Sequence, residues 1–105
     1  MPDFNKIFEQ AQQMQARMQQ VQSELEKQTV TATAGGGMVT VDADGKGTIT
    51  RVKIDPSVAD PKDVEMLEDL ILVAVNEAQK KAAELAKTEM GRLAGGLNLP
   101  FKLPF

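Results

Sequence analysis

The stretch Ala34–Pro56, reading AGGGMVTVDADGKGTITRVKIDP, constrains the fold of this chain more than any other. Three consecutive glycines open it, and such a triplet marks a turn needing backbone angles that other residues rarely adopt. Val39, Val41 and Ala43 then alternate with Thr40 and Asp42, Asp44-Gly45 marks a hairpin, and Gly47 a bulge or longer loop. Past that turn, Thr50, Val52 and Ile54 fall on one face, with Ile49, Arg51 and Lys53 on the other. Upstream, Val30, Ala32 and Ala34 alternate with Thr29, Thr31 and Thr33. The expected element is a three-stranded antiparallel meander with strands at 28–34, 38–43 and 48–55. One face is apolar, and the other is Thr-rich and carries Arg51 and Lys53.

Helices flank this sheet. From Asp3, a candidate cap, Phe4, Ile7, Ala11, Met14, Met18, Val21 and Leu25 recur at spacings of three and four, a heptad seam that predicts a helix over 3–27. Flanking positions are mostly uncharged, with Phe8, Gln15 and Gln22 on one side, so the seam packs more naturally on the chain's own second helix or sheet than in a charge-selected zipper. A second helix is expected over 61–90: Asp60 is placed to cap it, Pro61 suits its first position, and Gly91 suits its end. Its stripe of Val64, Leu67, Ile71, Ala74, Ala78 and Leu85 is widened early by Leu70, Val73 and Val75, which points to packing on the sheet or in a subunit interface. Ile7, Met14, Met18 and Val21, with Leu67, Leu70 and Ile71, are the candidate core or dimer seam. Residues 91–105, rich in Gly and Pro, read as an extended tail. The chain is thus one α+β domain over 1–105, ordered α-β-β-β-α.

Composition narrows the function. The 105 residues contain no Cys, His, Tyr or Trp and four Phe, so the core rests on aliphatic residues and gains from oligomerisation. Without His, Cys or Tyr the commonest acid-base groups and the strongest nucleophile are missing, and neither Ser23 nor Ser57 sits in a nucleophile elbow. No enzyme and no cofactor are expected. Asp42, Asp44 and Gly47 imitate a calcium loop, but Lys46 and Lys53 stand where its fifth and twelfth ligands belong, so no metal is expected. The glycine triplet lacks the Gly-Lys-Ser/Thr of a phosphate-binding loop. The opening MPDFNKIFEQ lacks a signal pattern and no apolar run is long enough to span a membrane, so a cytoplasmic location is expected.

Several short blocks together resemble a known family. GGGMV at 35–39, DGKG at 44–47, VKIDP at 52–56, MLEDL at 66–70 and LAGGLNLP at 93–100 are similar, in this order, to the YbaB/EbfC family of bacterial nucleoid-associated proteins. The resemblance implies a tweezer-like homodimer that binds double-stranded DNA in the nucleoid, with roles in nucleoid organisation and gene expression. The ending Phe101-Lys102-Leu103-Pro104-Phe105 departs from the short Pro-Gly ending common in the family.

Charge alone supports DNA binding only in part. The net charge is −3, and residues 56–90 carry four basic against eight acidic side chains. A binder of the duplex backbone needs cations gathered on one surface. The candidates are Arg51 and Lys53 on the sheet, Arg17 and Lys27 on the first helix, and Lys80, Lys81 and Lys87 on the second. Absence of a recognition-helix motif or zinc module predicts little sequence specificity. The alternative is a protein-binding or chaperone-like module, since two long helices around a hairpin region resemble prefoldin-type holdases in outline and the Phe-Lys-Leu-Pro-Phe tail could dock in a groove.

Overall fold

The computed structural model describes residues 4–96. Helix α1 (Phe4–Lys27) leads into strands β1 (Thr29–Ala34), β2 (Val39–Asp44) and β3 (Ile49–Ile54); a short 3-10 turn (Pro56–Val58) and helix α2 (Val64–Gly96) follow. The sheet is antiparallel in the order β1-β2-β3, as the alternation predicts. Asp3, the expected cap of α1, and residues 97–105 of the expected tail lie outside the described residues.

The glycine triplet behaves as its sequence demands. Gly35, Gly36 and Gly37 all have positive φ, at 63°, 67° and 92°, and together reverse the chain between β1 and β2. Gly45 has a different reason to be small. A Cβ there would stand 2.7 Å from the Leu25 carbonyl oxygen. The same carbonyl accepts the Gly45 N–H at 2.8 Å, so the end of α1 is tied to the hairpin tip through backbone alone.

The core lies between one sheet face and α2. Val39, Val41 and Ala43 of β2 are fully buried with Ala74 and Ala78 of α2, and Ala32, Ala34 and Val58 complete the centre. Small side chains on both layers allow helix and sheet to approach closely. Leu67, Leu70, Ile71 and Val75 pack around that centre. These positions follow the seam read from sequence, and for Leu67, Leu70 and Ile71 the contact is within the chain.

Three expectations need correction. Ile49 belongs to the core face, not with Arg51 and Lys53: Ala43 pairs with Ile49 and Asp42 with Arg51, so a bulge leaves Thr50 unmatched. An extra residue in one strand shifts the alternation by one. The second helix starts later than residue 61. Asp60 instead accepts the Lys62 N–H at 2.9 Å in a turn, and Asp63 accepts the Met66 N–H at 3.1 Å as the cap of α2. Finally, Gly91 does not end the helix. It has none of the positive φ of a terminating glycine, and α2 runs through it to Gly96, taking in residues 91–96 of the expected extended tail. Half-buried Leu93 continues the apolar stripe beyond Gly91.

Candidate nucleic-acid interface

The molecule is long and thin, with principal extents of 73 × 22 × 16 Å. Its body is the sheet with the first half of α2, and the two helices project from that body as an arm. Near the body, Gln22 and Leu25 of α1 share a groove with Gln79, Ala83, Ala86 and Met90 of α2. Further out, Met14, Met18 and Val21 are half-buried, so this part of the seam is the contact that holds the arm together. Ile7, by contrast, is 55% exposed and joins none of it.

The seven candidate cations fall into two groups. Arg51 and Lys53 lie on the open face of the sheet, over which no helix of the described residues packs. Register puts Arg51 opposite Asp42 and Lys53 opposite Thr40. Asp42 also accepts the Thr31 hydroxyl at 2.8 Å, and Asp44 accepts the N–H groups of Lys46 and Thr48 at 2.9 and 3.1 Å. Two carboxylates therefore share this face with two cations, and the face has no net charge. They also show what the calcium-like spacing is for: hydrogen bonds across the sheet and around a turn. At its end, Asp55 caps the 3-10 turn. The Ser57 N–H holds its carboxyl below the ordinary carboxylate range, the Ser57 hydroxyl adds to this, and nearby Lys53 contributes least.

The other five belong to the helices. Arg17, Lys27, Lys80, Lys81 and Lys87 are all exposed. Lys80 and Lys87 are seven residues apart and so share a face of α2 about 10 Å apart along the axis. Lys81 is partly committed, donating to the Thr31 carbonyl of edge strand β1 at 2.7 Å. Arg92 was hidden from sequence reasoning because it fell in the expected tail; it lies on α2 and pairs with Glu89 at 3.3 Å. Charge is thus segregated along one helix. Residues 64–78 carry Glu65, Glu68, Asp69 and Glu77 with no cation, whereas 79–96 carry Lys80, Lys81, Lys87 and Arg92 against Glu84 and Glu89.

Among the described residues no cluster of acidic side chains could hold a metal ion, and no helix is long and apolar enough to cross a membrane. The described part is an arm bearing cations on a body with a charge-balanced open face.

Known proteins resemble this chain in sequence and in fold. The chain is 54% identical over 103 residues to a nucleoid-associated protein of Gemmatimonas aurantiaca, covering 98% of this chain and 99% of that one. It is 46% identical over 107 residues to one of Rhodospirillum rubrum, covering all of both chains. The crystal structure of an uncharacterised Helicobacter pylori protein superposes with a TM-score of 0.82 at 25% identity, covering 90% of this chain and 100% of that one. The model of the YbaB/EbfC DNA-binding family matches residues 1–97. With the helix-meander-helix order, the near full-length relatives and the family match in agreement, the chain belongs to the YbaB/EbfC DNA-binding family.

Proposed function

We propose that this protein is a nucleoid-associated protein that binds duplex DNA as a homodimer, through its arms and with little sequence specificity. The observation that carries this reading is the segregation of charge along α2 in a member of a DNA-binding family. Backbone binding draws its affinity from phosphate neutralisation. The outer half of α2, with Lys80, Lys87 and Arg92, and Arg17 on α1, offer that surface; the acidic first half repels a duplex and keeps it away from the body. Arg51 and Lys53 contribute less, because Asp42 and Asp44 offset them.

Dimerisation is supported by what the body leaves uncovered. The helix α2 packs over β1 and β2 but barely reaches β3. Val52 is consequently 44% exposed, although its register partner Val41 is fully buried. In the first half of α2, Val64, Met66, Leu72 and Val73 are 40–59% exposed, in addition to the side chains already facing the core. A helix that is apolar on most sides belongs in an interior. A second copy seated on β3 and this half of α2 supplies one, and two arms then point away from a common acidic body.

The test is a titration of duplex DNA against salt. About four phosphate contacts give a log-log slope near −3.6, and competitor duplexes of unrelated sequence should displace the probe equally. Binding that is absent at low salt, or indifferent to salt, rejects the proposal.

A further inference from the structure

The arm has two faces, and the one that carries the groove brings amides and cations together. Gln15, Gln19 and Gln22 of α1 recur at spacings of four and three, so they form one row, and Gln22 lines the groove. Across the groove stands Ala83 of α2, with Lys80 three residues before it and Lys87 four residues after it on the same row. An amide row about 10 Å long thus runs beside a lysine pair of about the same span. All five polar side chains are exposed, and none is bonded to another group among the described residues. The amide row ends at Glu26, whose charge Lys46 meets at 3.0 Å. Glu84 adjoins the two lysines from the side away from the groove.

The opposite face differs. There Arg17 shares its row with Glu24, the Thr31 carbonyl holds Lys81, and Glu89 holds Arg92. The groove face therefore has the less committed cations, but only two of them, in a chain of net charge −3. Cations are not the sole donors to a phosphate oxygen, since glutamine amides bond it too. A bond of that kind displaces water and no condensed counterion, so it adds affinity without adding to the salt dependence.

We propose that Gln15, Gln19 and Gln22 are the charge-neutral half of the DNA interface, donating to phosphate oxygens while Lys80 and Lys87 neutralise phosphates across the groove. On the function proposed above, in which the arms bind duplex DNA, the groove face is then the one that meets the duplex. The amides account for how an acidic chain holds a polyanion with few cations.

Salt titrations of a mixed-sequence duplex separate this surface from a purely cationic one. In full-length Gln15→Ala/Gln19→Ala/Gln22→Ala, affinity should fall about tenfold at every salt concentration, with the log-log slope unchanged. The control Gln10→Ala/Gln13→Ala/Gln20→Ala, on the row of Arg17, should change affinity by less than about twofold. Alanine favours a helix, so both variants should keep the circular dichroism of the parent. The parent offers an independent readout: when duplex is added, the side-chain amide NMR signals of Gln15, Gln19 and Gln22 should shift and those of Gln10 and Gln13 should not. Parent-like affinity in the first variant, an equal loss in both, or amide signals unmoved by bound DNA overturns the proposal and leaves DNA binding by the arms standing. A parent that does not bind the duplex even at low salt overturns both.

Discussion

The two halves of α2 form one continuous helix yet face opposite requirements. Residues 64–78 lie on the sheet, are apolar on most sides and carry only acidic charge. Residues 79–96 lie on α1, present a narrow stripe of Ala, Leu and Met, and carry four cations. Helix propensity is similar in both, so the contrast is not about making a helix. It concerns what each half is offered to: the first is shaped for protein surface, the second for a polyanion.

The hardest blow to that contrast is Leu72→Glu/Val73→Lys. Both side chains are more than half exposed, so the protomer should stay folded. Self-association should weaken on the order of 100-fold, read by sedimentation, if this half forms the interface. A dimer that survives intact moves the interface elsewhere. Next, Lys80→Glu/Lys87→Glu should lower DNA affinity by roughly tenfold or more at low salt and flatten the salt slope by about 1.8, with the dimer unchanged. The counterpart, Arg51→Glu/Lys53→Glu, should cost about threefold or less; a larger loss than in the lysine pair would place binding on the sheet and undo the division of α2.

Smaller effects test how the arm is joined to the body. Gly45→Ala sets a methyl against the Leu25 carbonyl, which cannot swing aside as a side chain can. A stability loss of about 1–3 kcal/mol is expected, with faster amide exchange in α1. Least is expected of Asp55→Asn. Because the folded carboxyl titrates below its unfolded value, its contribution is present above about pH 4 and fades as pH falls through the folded value. Melting curves of the variant should therefore differ from the parent at neutral pH and converge with it under strong acid.

Sequence reasoning reached most of the fold because the governing interactions are local. Glycines with positive φ and alternating β-branched residues state their conformation within a few positions. Thr50 shows where this fails: nothing nearby says which residue the strand will leave unpaired, so simple alternation puts Ile49 on the wrong face. Asp60 and Asp63 are equally suited to cap a helix, and the turn through Pro61 decides between them. Gly91 resembles a terminus by residue type alone, whereas half-buried Leu93 continues the stripe past it. The site was less legible still. Which cations are offset depends on cross-strand neighbours, and Asp42 meets Arg51 only through a register that the bulge helps set.

The bond from Lys81 to the Thr31 carbonyl has a consequence for how far this protein can polymerise. A three-stranded sheet offers two raw borders to other chains, and unchecked growth needs both. An ammonium stationed on the β1 border makes that side a poor template, leaving β3 as the one border open to company. Association through a single border joins like to like and stops at two, whereas two open borders would permit an endless ribbon. One lysine of α2 bonded to one edge strand is thereby a safeguard against forming fibres.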